Sequence, residues 1–333
     1  MRRKACLVVL AALLTPTVCD AELREAVRTV YKVGAVRANG APAMGSAVVI
    51  APGKLVTSCH TTREALRISI LHRQGELTAR PGAGDMRHDL CLLSVPELRG
   101  PVAERLGSSG LQIGQAVVAV GFAEGFVRSI EEGHITALYR MDGGNVLRTS
   151  AVFPHGASGG GLFTETGLLI GILTFRGTAG EELNYAVPTE WVERLLEQDA
   201  AAATSPAEHA SFWEDDAPGQ PLFLQAAWLE SAQAWTQLEA LALDWTLEAP
   251  DDAESWLTLG RAKVALGAPK EAVLALRNAV ARNERHVRAW YWLAVAYHHV
   301  GFPGEFVYAS RRLEDLDRQQ AAELSRWTKR GIP

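Results

Sequence analysis

The chain changes character once, near residue 198, and no single fold class satisfies both halves. Before that point, short runs of Val, Ile and Leu are punctuated by Gly and Pro. Ala47-Val48-Val49-Ile50 leads through a turn at 51–54 into Leu55-Val56-Thr57, which predicts a β-hairpin. Leu66, Ile68 and Ile70 alternate with Arg67 and Ser69, the period of two expected of a half-buried strand. Residues 116–120 and 168–173 are unbroken apolar runs of strand length. Many short strands with frequent turns predict an all-β barrel or sandwich. Residues 199–221, with AAAATSPAEHAS and EDDAPGQP, read as a linker. Beyond it, across 222–330, Ala, Leu, Glu, Arg and Trp recur at helical spacing. The expectation is a multidomain chain, all-β and then all-α. A length of 333 residues, 48% hydrophobic and 21% charged, is enough for two globular domains. A net charge of −5 and the lack of a large basic block argue against nucleic acid as a partner.

The first residues read as a targeting segment. Met1-Arg2-Arg3-Lys4 is a basic start, residues 5–14 are apolar but too short to span a bilayer, and Cys19-Asp20-Ala21 fits a cleavage site. The expectation is a signal peptide over 1–21, with the protein exported to the periplasm or secreted. No later segment has the length and apolarity of an integral membrane span. Two cysteines, Cys59 and Cys91, remain after the leader.

The helical half contains a repeat. Trp256 and Trp290, Leu259 and Leu293, Gly260 and Ala294, and Gly267 and Gly301 are each about 34 residues apart. Trp256, Leu259 and Gly260 with Ala272, Leu276 and Ala279 resemble the two helices of a tetratricopeptide (TPR) repeat, and Pro250 closes the preceding unit. The resemblance implies about three helical pairs over 219–320, with 318–330 as a terminal helix. Phe306 and Ser310 depart from the pattern in the third unit. Stacked pairs share a core and leave a concave surface for a protein partner, for substrate, or for self-association into a homo-oligomer. The tryptophans read as core packing.

The chemistry concentrates in Pro154-His155-Gly156-Ala157-Ser158-Gly159-Gly160-Gly161. A serine nucleophile needs a general base, an orienter for that base, and N–H donors for the oxyanion. Glycines let substrate approach such donors, and Gly156 and Ser158 have the spacing to supply two. His60 follows a predicted strand and is the candidate base. Asp89 opens an apolar run, so its carboxylate needs a partner such as a histidine N–H.

Together these strings resemble the trypsin-like serine proteases of chymotrypsin fold, and within them the HtrA/Deg branch. Gly45-Ser46-Ala47-Val48-Val49-Ile50 with LVTSCH resembles the strand leading to the catalytic histidine. HDLCLLSV resembles the aspartate string, GQAVVAVGFAEGFVRSIEEGHITAL the segment that follows, and GASGGGLF the nucleophile loop. LLIGILTF and Asn184-Tyr185-Ala186-Val187-Pro188 resemble the strands that wall the specificity pocket. The likeness covers about 27–197, and the protease domain is expected over 22–198.

It implies two packed six-stranded barrels with the active site between them. It also implies a His60-Asp89-Ser158 triad, an oxyanion hole of Gly156 and Ser158 N–H groups, and no cofactor or metal. Val152, Thr174, Phe175 and Arg176 fall where substrate side chains are read, and apolar Val152 implies a neutral pocket. Ala157 cannot pair with a freed N-terminus, so activation of that kind is not expected. The branch usually carries PDZ domains; here the helical repeats stand in their place. If His60 and Asp89 touch, Cys59 and Cys91 lie close together, as a disulfide or as two core thiols. The reading is an exported serine endopeptidase with a TPR-like module. The alternative is an inactive protease-like binding module with the repeats as scaffold.

Overall fold

The computed structural model describes residues 16–72, 75–123, 127–177, 183–201, 210–215 and 219–330. Most of the expected leader lies outside these residues. Helix α1 (Pro16–Val27) is described and runs through the expected cleavage point without a break.

Strands β1 (Val30–Arg37), β2 (Pro42–Ala51), β3 (Lys54–Ser58), β4 (Ala65–His72), β5 (Gly75–Asp85) and β6 (Leu90–Ser94) close one barrel in the order β1-β2-β3-β6-β5-β4. Between β3 and β4 lies a single helical turn, α2 (Cys59–Thr62). The hairpin expected around 51–54 forms, pairing Val48 with Val56 and Val49 with Leu55. Leu66 breaks the alternation expected of its strand. Val36 pairs with Arg67 and Arg37 with Ala65, so Leu66 is the extra residue of a bulge and is 78% exposed.

Strands β7 (Ala116–Phe122), β8 (Arg128–Met141), β9 (Gly144–Thr149), β10 (Gly161–Thr164), β11 (Leu169–Gly177) and β12 (Leu183–Pro188) close a second barrel in the order β10-β11-β12-β9-β8-β7. The unbroken apolar runs are explained by burial on both faces. Ala47 and Val49 fill the first barrel, whereas Val48 and Ile50 face the second. In the second, Val117 and Ala119 point inward, and Val118 and Val120 join the layer between the barrels.

Helix α3 (Thr189–Ala201) packs its buried Trp191 and Leu195 into that shared layer. The span read as a linker is ordered where it is described. Asp199 belongs to α3 and bonds Lys54 and the Ala83 N–H of the first barrel. Residues 211–215 pack against both barrels, with Phe212 fully buried.

The helical half comprises α4 (Leu222–Ser231), α5 (Trp235–Glu248), α6 (Ala253–Ala265), α7 (Pro269–Arg282), α8 (Val287–Val300), α9 (Pro303–Leu316) and α10 (Arg318–Lys329). Helix α8 begins 34 residues after α6, and α9 begins 34 after α7. The period extends to detail: Trp256 Nε1 donates to the Pro250 carbonyl, and Trp290 Nε1 to that of Glu284, both at 2.8 Å. The helices are fused to the second barrel. Phe223 of α4 stacks on Tyr139 of β8 at 4.2 Å, and Leu238 and Trp245 join the same core. No helix among the described residues is long and apolar enough to cross a membrane.

Candidate active site

His60 sits on α2, the turn that ends β3. Asp89 precedes β6, and the pairing of β3 with β6 brings the two together, with Ser58 opposite Leu90. Asp89 has φ of 57°, a left-handed conformation that Asp tolerates better than most residues. Its carboxylate is fully buried. Oδ1 accepts the His60 backbone N–H at 2.8 Å, and Oδ2 lies 2.6 Å from His60 Nδ1. Oδ2 also accepts the Thr174 hydroxyl at 2.8 Å. A buried carboxylate demands such a full set of donors.

Burial acts to lower the pKa of His60. The hydrogen bond and charge of Asp89, with a contribution from Glu214, outweigh it and leave the imidazole above its ordinary value. Cys59 and Cys91 are joined by a disulfide, with Cα atoms 4.9 Å apart, so the turn bearing His60 is tied covalently to the strand that follows Asp89.

Ser158 lies in the loop before β10. A turn closes from the Pro154 carbonyl to the Ala157 N–H at 3.1 Å. Gly156, at its third position, has φ of 90°, as a type II turn requires. The N–H groups of Gly156 and Ser158 donate to no protein acceptor among the described residues. Gly159 also has positive φ, and a Cβ there would stand 2.1 Å from the Ser46 carbonyl oxygen. The loop is therefore pressed against the first barrel. The Ser158 hydroxyl donates to the Thr174 carbonyl at 2.8 Å; no hydrogen bond joins it to His60.

Ser46 anchors this loop, a role not read from the sequence. Its N–H donates to the Ser158 carbonyl at 2.8 Å, and its hydroxyl donates to the Gly156 carbonyl and accepts the Phe122 N–H, each at 2.9 Å. The available signal is a hydroxyl residue at the head of the apolar run Ala47-Val48-Val49-Ile50; the fold buries it fully.

The four residues expected at the substrate pocket fall differently. Val152 is 40% exposed beside buried Phe153. Thr174 is buried, and its hydroxyl donates to Asp89. The ring of Phe175 lies between Tyr185 at 4.5 Å and Trp213 at 4.7 Å. Arg176 pairs with Asn184 on β12, and its side chain lies outside the described residues.

A family described as a trypsin-like peptidase domain matches residues 45–172. A probable periplasmic serine endoprotease, DegP-like, of Ectopseudomonas mendocina (strain ymp) is 32% identical over 172 residues, covering 49% of this chain and 36% of its own. The periplasmic serine endoprotease DegP of Salmonella typhimurium is 31% identical over 170 residues, covering 47% and 35%. The chain thus spans about a third of the length of these curated relatives. Among solved structures, the HtrA-type protease AlgW with tripeptide has a TM-score of 0.50 at 26% identity, covering 54% of this chain and 62% of that one. The Rv3671c protease from M. tuberculosis in its active form has a TM-score of 0.51 at 20% identity, covering 59% and 91%. The likeness to the M. tuberculosis protease is one of fold alone. The two closed six-stranded barrels match the chymotrypsin-like double-barrel protease fold.

Proposed function

We propose that this chain is a serine endopeptidase of the HtrA type, with His60, Asp89 and Ser158 as its triad. The observation that carries the reading is the Asp89 carboxylate. It is buried, and it accepts hydrogen bonds from both the backbone and the imidazole of His60. That arrangement holds Nδ1 protonated and leaves Nε2 as the basic atom. The match to the trypsin-like peptidase domain and the HtrA-type relatives support the same conclusion.

In this mechanism Ser158 Oγ turns from the Thr174 carbonyl to His60 and loses its proton to Nε2 as it attacks the scissile carbonyl carbon. The oxygen of that carbonyl becomes an oxyanion, held by the Gly156 and Ser158 N–H groups. His60 then gives the proton to the leaving amine, the C–N bond breaks, and an acyl-Ser158 remains. Water, deprotonated by His60, hydrolyses the ester and restores Ser158. Asp89 stays ionised and stabilises the imidazolium.

The 34-residue recurrence of α6 with α8 and α7 with α9 supports a TPR-like module that takes a protein partner or assembles copies of the chain. The basic, apolar leader and the periplasmic relatives support export. Hydrolysis of an unfolded protein by the full chain, lost in Ser158→Ala, tests the activity. Fractionation of cells with mass determination of the N-terminus tests export and the start near Glu22.

A further inference from the structure

Residues 211–215, between α3 and α4, cross the cleft as a tight turn. The Glu214 N–H donates to the Ser211 carbonyl at 2.8 Å, and the Ser211 N–H to Glu214 Oε2 at 3.0 Å. The Phe212 N–H donates to the Arg87 carbonyl at 3.0 Å. Trp213 lies flat on Phe175, with ring centroids 4.7 Å apart and planes 17° apart. It also meets the His60 ring edge-on at 6.5 Å and 88°. Glu214 pairs with Arg63 through both oxygens, at 2.7 and 3.4 Å, and Asp215 pairs with Arg87 at 2.7 Å. Arg63 directly follows the turn bearing His60, and Arg87 stands two residues before Asp89. Four consecutive residues, 212–215, thus engage the His60 turn, the Asp89 loop and β11, which belong to both barrels.

This is the ground a substrate must cover. Strand β10 pairs with β11 only as far as Ile172, so the edge of β11 beyond Leu173, at Thr174 and Phe175, has no strand beside it among the described residues. An extended peptide brought to Ser158 runs along such an edge and sends side chains into the space between His60 and Phe175.

We propose that residues 212–215 are a resident occupant of this cleft: Trp213 fills a subsite for an aromatic substrate side chain, and Glu214 and Asp215 hold the two arginines that receive flanking carboxylates. The inference rests on the endopeptidase reading and names its substrate class, a segment with an aromatic residue beside acidic ones. The occupant is not itself a substrate, because a closed turn cannot lie extended along β11. The acid–arginine contacts are part-exposed, with side chains 26–48% accessible, and salt screens them, so a competing segment can displace the turn.

The test uses the full chain. Labelling of Ser158 by a fluorophosphonate is timed for the wild type, for Trp213→Ala, and for the double variant Glu214→Lys, Asp215→Lys, each checked for unchanged circular dichroism. Removing the occupant raises the labelling rate about tenfold or more, as expected when the open form is a minor population. Where the wild type labels, rates unchanged or lowered in folded variants overturn the proposal, and make Trp213 a fixed wall of the site.

A second readout does not depend on catalysis. A fluorescein-tagged peptide of sequence SFWED is titrated into Ser158→Ala with and without Trp213→Ala, against a scrambled control. Affinity at least tenfold higher without Trp213 supports the occupant even if no variant labels, in which case only the endopeptidase reading fails. Equal affinity, with labelling of the wild type intact, overturns the occupant and leaves the enzyme standing.

Discussion

Ser158 donates its hydroxyl to the main-chain carbonyl of Thr174, while the side chain of Thr174 donates to Asp89. One residue of β11 therefore holds the candidate nucleophile through its backbone and the candidate orienter through its hydroxyl. Thr174→Val keeps the carbonyl and the shape but leaves Asp89 Oδ2 one donor short. A hydrogen bond to a charged group contributes about 1.5–3 kcal/mol. Activity is expected to fall about tenfold or more, with a shift in the acid limb of the pH–rate profile. A profile and rate equal to wild type contradict the linkage.

Removing the carboxylate charge has a larger effect. Asp89→Asn keeps the size of the side chain, but its amide no longer secures the His60 tautomer. A loss of about ten-thousandfold in kcat is expected, with the fold retained. Steady-state kinetics with a chromogenic peptide measures it, and circular dichroism checks the fold.

The pH dependence has two opposing parts. His60 must be neutral to act as a base, and its pKa is raised, so activity is expected to climb with pH through a midpoint above the ordinary histidine value. His88 bridges Asp85 and Asp142, at 2.5 and 3.0 Å, and so joins the two barrels. Burial acts to lower its pKa, but the two carboxylates outweigh this and raise it. A group whose pKa is raised in the folded state contributes stability fully below its unfolded value. That stability is lost as pH rises through the folded value. The bridge therefore weakens over the range in which His60, the proposed base, becomes neutral. Thermal melts of wild type and His88→Phe between pH 5 and 9 are expected to converge at the alkaline end; a constant gap contradicts this.

Ser46 tests the loop rather than the triad. Ser46→Ala removes one donor and one acceptor from a fully buried site and leaves the Gly156 carbonyl and Phe122 N–H unpaired. The expected cost is about 1–3 kcal/mol in stability, with a greater loss in kcat than in KM, because the proposed oxyanion donors shift. Denaturant melts and kinetics on the same preparation separate the two effects.

The helical half has its own buried charge. Glu254 accepts from His286 at 2.9 Å, with both side chains buried. Burial opposes its ionisation, but His286, Arg288 and Arg148 outweigh this and hold its pKa at about 2. Its stabilisation is present above the ordinary glutamate value and is lost as pH falls toward about 2. Glu254→Ala strands the histidine and is expected to cost about 3–5 kcal/mol, read as a drop in melting temperature.

What the sequence displayed was local. His60, Asp89 and Ser158 each stand in a distinctive string, and the glycines around Ser158 mark backbone that must approach other backbone. The 34-residue spacing of Trp256 and Trp290 reappears as helices of equal phase. What stayed hidden depends on contacts distant in sequence. Ser46 meets Gly156 across 110 positions and Thr174 meets Asp89 across 85, and neither spacing leaves a periodic trace. Trp213 was concealed differently: apart from adjacent Phe212 it lies among polar and small residues typical of a connector, and only the closed barrels reveal the aromatic face it covers.

The central claim is that Ser158 is the nucleophile served by His60 and Asp89. Its most direct measurement is fluorophosphonate labelling of the full chain, followed by mass spectrometry of the modified peptide. The account predicts a single adduct on Ser158, lost in Ser158→Ala and in His60→Ala. An adduct that persists in Ser158→Ala, or its absence from both the wild type and Trp213→Ala, contradicts it.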